Sequence, residues 1–157
     1  MPTPTTDPRR ATMITVLVPL LRASCPPDAG GYGGGLELRM PDAEADELGG
    51  AELLRSAARA AARRLGWKTE TYGLVGTRHG TMVGVVDRRE APAPFAEAVQ
   101  RDKSRRMRAA VDRVGRPGAT PPAPAPVPGN DPRMPTVAFR AAYAEARPAE
   151  SASDGDA

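Results

Sequence analysis

The apolar positions of this chain fall into runs of different period. Residues 12–21 (TMITVLVPLL) are continuously apolar and β-branched. That composition predicts a first strand over 13–18, with Pro19 placing its end at an edge or a bulge. Residues 36–40 (LELRM) alternate apolar and charged side chains and predict a short second strand. Over 51–65 the period changes. Leu53, Leu54, Ala57, Ala58, Ala61, Ala62 and Leu65 form one stripe, and Arg55, Arg59 and Arg63 fall on the other side. This is an amphipathic helix whose alanines let it lie close to a sheet. Gly66 fits the residue just past its end, where a positive φ favours glycine. Trp67 follows and is expected to cover the end of the core.

Residues 67–75 (WKTETYGLV) and 81–87 (TMVGVVD) read as two strands around the turn 76–80. Glycine at each end of the turn makes the pair an antiparallel hairpin. Gly73 and Gly84 either face each other across it or mark bulges. A second helix is expected over 95–114. Phe95, Val99, Met107, Ala110, Val111 and Val114 share one arc, interrupted by Lys103, and Arg101, Arg105 and Arg108 share the opposite arc. Between these elements, 24–35 (SCPPDAGGYGGG) reads as a flexible loop. The acidic 42–50 reads as a lead-in turn, with or without a helical fragment, and 91–94 (APAP) as a spacer.

The order β-(β)-α-β-β-α implies an α+β fold: a small two-layer sandwich with helices on one face of a mainly antiparallel sheet. The expected division is a flexible leader over 1–10 and an α+β domain over 11–115. A Pro/Ala-rich linker over 116–135 follows, then a short docking helix over 136–147 and a disordered acidic end over 148–157. Met13 is an alternative start, because the pattern begins there. Thr136 suits the N-cap of the last helix, and Phe139 and Tyr143 pair at i, i+4. Such a tethered helix docks on a partner, folds back onto its own sheet, or stays without structure.

Composition narrows this picture. Leu, Ile, Val and Phe together number 24 of 157 residues, and 21 of them lie between Ile14 and Val114. The core is therefore thin, and dimerisation is a natural way to bury more surface. Only Lys68 and Lys103 are lysines among 22 basic residues. Arginine bias of this kind, with so much Ala, Pro and Gly, reads as the coding DNA of a GC-rich bacterial genome. The net charge of +3 is concentrated: 101–116 hold seven basic and two acidic side chains, a net +5, whereas 1–100 are neutral. The basic character belongs to one helix.

The candidate chemistry is sparse. Arg9-Arg10, the apolar run and Cys25 resemble a lipoprotein signal in outline. Arg22 stands where that pattern wants an aliphatic residue, however, and the run is too short to span a bilayer. Glycines 30–35 lack the Lys-Ser or Lys-Thr that a phosphate loop requires. His79 is a lone turn histidine, and one Cys with one His forms no metal cluster. Cys25 has no evident base beside it. Asp87 and Glu90 flank Arg88 and Arg89, which predicts surface ion pairing. No catalytic residue, metal or cofactor is assigned.

The reading is a non-catalytic binding or assembly module of the cytoplasm, not an enzyme. It acts through protein contacts, as a homodimer or with a partner bound at Phe139 and Tyr143. The alternative is a nucleic-acid-binding accessory protein that uses Arg101, Arg105 and Arg108 along successive phosphates. No membrane and no small-molecule substrate is implied.

Overall fold

The computed structural model describes residues 4–114 and 133–147. The expected linker over 116–135 and the acidic end over 148–157 lie almost wholly outside these residues. The described elements are α1 (Pro8–Ala23), β1 (Gly35–Met40), α2 (Asp42–Glu47), α3 (Ala51–Arg64), β2 (Thr69–Thr77), β3 (Gly80–Asp87), α4 (Ala93–Val114) and α5 (Met134–Ala146). The fold is α+β, with five helices and a three-stranded antiparallel sheet among the described residues.

The first element corrects the strand expected over 13–18, because the run is helical. Asp7 caps it by accepting from the Arg9 backbone N–H at 3.0 Å, and Pro8 sits in its first turn. The helix thus begins inside the segment expected as a leader. Met13, Leu17 and Leu21 recur every four residues, and with Ile14 and Val16 they form a buried face. β-Branched residues cost a few tenths of a kcal/mol each in a helix. Burying each large apolar side chain returns roughly 1.5–3 kcal/mol, so burial decides. Pro19 points to solvent within the helix.

The hairpin and α3 form as their patterns require. β3 is the central strand, in the order β1-β3-β2. Leu38 pairs with Val83, and Thr71 with Val85. Tyr72, not Gly73, stands opposite Gly84, and Gly73 stands opposite Val83. The β2–β3 register shifts between Leu74 and Thr77, next to the turn. Gly66 follows α3 with φ +76°, and Trp67 is buried behind it.

Alternation along the strands sends Leu38, Met40, Val83 and Val85 into the core. There they meet Leu53, Leu54 and the alanines of α3. α3 covers β2 and β3, α5 lies on β1, and α1 packs against both α3 and α5. The second helix of the expected sandwich, α4, does not join this layer. Phe95 and Val99 hold it against the glycine loop, and Met107, further along the expected apolar arc, is exposed.

Candidate interaction surface

The sheet face away from α1, α3 and α5 carries Glu37 and Arg39 from β1, Met82, Gly84 and Val86 from β3, and Glu70, Tyr72 and Leu74 from β2. Gly84 gives this face its shape. A Cβ there would stand inside the Tyr72 ring. Its absence lets Tyr72 lie across the central strand and donate its hydroxyl to Glu37 Oε2. Arg39 Nε donates to the other oxygen of the same carboxylate. Burial first, and the Glu37 bond second, hold the half-buried Tyr72 hydroxyl well above its ordinary pKa.

Beside this network a cleft of about 490 Å³ opens between the sheet end and α4. Tyr72, Glu37 and Val86 line one side, and Asp102, Lys103 and Arg106 line the other. Two buried carboxylates brace its walls. Asp87, expected as a surface group, has a fully buried side chain gripped by Arg89, with Nη2 2.8 Å from Oδ2. Inward alternation from Val83 and Val85 carries Asp87 to the covered side, and the neighbouring arginine follows it. Arg89 also donates to the Gly31 carbonyl at 2.9 Å and lies 4.3 Å above the centre of the Tyr32 ring. Tyr32 in turn stacks on Phe95 at 6.0 Å. This column pins the glycine loop between β3 and α4, so the expected flexible loop is instead a packed one. Gly34 sits where any side chain would strike Trp67 and Cys25.

Asp102, also buried, takes Arg105 at 2.6 Å and Arg106 at 2.8 Å. Of the three arginines expected to meet nucleic acid, Arg101 and Arg108 are exposed, and Arg105 is exposed but paired to Asp102. Phe139 and Tyr143, expected to face a partner, are buried in the chain's own core and stack at 5.7 Å. Of the alternatives open for the last helix, the structure shows the one in which it folds back.

His79 is exposed in the hairpin turn. Cys25 is half-buried, its sulfur 3.4 Å from the Gly31 carbonyl, and burial pushes its thiol pKa up. Among the described residues no group of His, Cys, Asp and Glu is placed to hold a metal ion. No helix of the described residues is long and apolar enough to cross a membrane.

The surface keeps apolar side chains in water. Leu74 is 50% exposed, Val75 66% and Met107 70%. Sequence reasoning missed the Tyr72–Glu37 bridge and the Asp87–Arg89–Tyr32–Phe95 column. The clue to the first was a glycine in mid-strand, which commonly marks close approach of another group. The second joins residues distant along the chain, and no local pattern announces it.

Comparison with known proteins places no relative beside this chain: no family model, curated protein or solved structure matches it.

Proposed function

We propose that this protein is a non-catalytic assembly module that binds a second copy of itself through the open sheet face, with α4 as one wall of the contact. The observation that carries this reading is the exposure of Leu74, Val75 and Met107. Leu74 lies on the uncovered sheet face, Val75 follows it on the edge strand and Met107 stands on α4, and large apolar side chains left in water favour association. β2 is an edge strand, and its charge is confined to Glu70. Edge strands that avoid pairing usually carry more charge or a proline. A thin core gives the chain a reason to bury more surface by pairing.

The cleft supports a non-catalytic role. Of the four cationic side chains lining it, three are paired: Arg88 with Glu70, Arg89 with Asp87 and Arg106 with Asp102; the fourth, Lys103, is exposed. The three paired arginines spend their charge on neighbouring carboxylates. The reading includes a cytoplasmic setting, with which the single free thiol of Cys25 is compatible.

The test is light scattering of the purified protein over a concentration series. The parent chain should rise above its 16.5 kDa mass. The Leu74→Ser/Val75→Ser/Met107→Ser variant should stay near it. Equal curves for the two proteins would rule this surface out as the site of association.

A second reading has its own observation: Arg101, Arg105 and Arg108 are all exposed on α4. On this reading the helix meets the phosphates of a nucleic acid. Changing the three to glutamine should then lower affinity and reduce the salt slope by about one unit for each phosphate no longer neutralised. Unchanged binding would exclude the helix.

A further inference from the structure

Helix α5 is held the way a separate peptide is held in a groove. It lies against α1 and β1. Thr136, Phe139 and Tyr143 recur at i, i+3 and i+7, all three are buried, and they are the anchors of a helix-in-groove contact. The Thr136 hydroxyl accepts the Arg39 backbone N–H at 2.8 Å, which satisfies an outer donor of the edge strand β1. At the rim, Arg140 forks onto Glu44, with Nε 2.6 Å and Nη2 2.7 Å from the two carboxylate oxygens. Every one of these bonds joins residues more than ninety positions apart. None depends on the chain connection next to the helix.

That connection is long. Residues 115–132 separate α4 from Arg133. A stretch of that length reaches roughly 60 Å if fully extended, at about 3.3 Å per residue. This exceeds the diameter of a domain of this size.

We propose that the α1/β1 groove accepts α5 from a second copy of this chain in place of its own, so that two copies exchange their last helices. The inference rests on the self-association proposed above, because an associated copy brings its α5 within reach. The contact that closes in one chain closes equally between two: the anchors, the Thr136 bond and the Arg140–Glu44 fork are the same. Exchange of an identical element is a low-cost route to a dimer, since it requires no new surface. The tether favours the chain's own helix at low concentration, and mass action favours exchange as concentration rises.

The experiment uses full-length chains in a Cys25→Ser background. One chain carries Glu44→Cys and the other Arg140→Cys. They are unfolded together in urea, refolded, and treated with a short bifunctional maleimide. A third chain carries both cysteines. Exchange predicts a covalent band at twice the chain mass in the mixture, absent when either single variant is treated alone. Internal cross-linking of the third chain, with no covalent dimer in the mixture, would overturn exchange. Light scattering of the same mixture separates the two ideas. An associated mass without the covalent band overturns exchange and leaves the open-face contact standing. A monomeric mass without the band overturns both.

Discussion

Tyr72 lies across Gly84 on the central strand, its ring occupying the space where any side chain at 84 would stand. This relationship sets the open face of the sheet. It brings the hydroxyl to Glu37 on the far strand and ties all three strands together through one side chain. Gly84→Ala should therefore displace the ring and break the bridge. Overpacking of this kind costs about 1–3 kcal/mol. Urea denaturation of the variant should show a lower midpoint with an unchanged slope. An unchanged midpoint would mean that the ring moves aside freely.

The same bridge makes a prediction about alkali. The Tyr72 hydroxyl is raised above its ordinary value of 10.0, by burial first and by Glu37 second. A group whose folded pKa is raised contributes stability that is complete below its unfolded pKa. That stability is lost as pH rises through the higher folded value. The protein should thus lose stability above about pH 10, and Tyr72→Phe should remove part of that alkaline loss. Tyrosinate absorbance gives an independent check: the alkaline titration should contain a late component that is lost in Tyr72→Phe. A late component that persists unchanged in Tyr72→Phe, or no late component in the parent, would contradict the bridge.

Phe139 is 1% exposed in the core formed by α1, β1 and α5. Truncation of a buried phenylalanine to alanine costs about 3–5 kcal/mol. Phe139→Ala should approach that range in thermal or urea unfolding. Val137, half exposed on the outer side of the same helix, is the internal control, and Val137→Ala should change stability by less than about 0.5 kcal/mol. Similar small effects from both would show that α5 is not seated in solution.

Arg89 compensates the buried Asp87 carboxylate, which in turn raises the guanidinium pKa through their hydrogen bonds. Removing one partner of a buried pair costs about 3–5 kcal/mol, and the partial exposure of Arg89 lowers the figure. Arg89→Ala should destabilise by about 2 kcal/mol or more, and Arg89→Lys by less than Ala. The lysine keeps the charge but loses the fork and the stacking on Tyr32. An Arg89→Ala chain as stable as the parent would show that the loop column is not held by this pair.

The sequence legible in local pattern is the part that folds by local pattern. Leu53 to Ala62 shows one helical stripe, and Gly66 stops it at a positive φ, so α3 could be read directly. The hairpin was equally plain from its strand composition and paired turn glycines. α1 was not, because Ile14, Val16 and Val18 carry strand preference, and only packing against α3 and α5 decides for helix. α5 was legible as a helix, but its destination was not, since Thr136 meets Arg39 from 97 positions away in the sequence. The braced carboxylates pair with nearby arginines, and what escaped was their burial, which depends on the sheet and the glycine loop. Asp87 looks like part of a surface charge run until the sheet turns it inward.

Hydrogen exchange measured at dilute and at high protein concentration locates the self-association contact. If the open face is that contact, amides of β2 near Leu74 and Val75 and of α4 around Met107 should exchange more slowly in the concentrated sample. The hairpin turn at His79 should be unchanged. A concentration-dependent mass with no added protection in β2 or α4 would contradict assembly through the open face and move the contact elsewhere on the molecule.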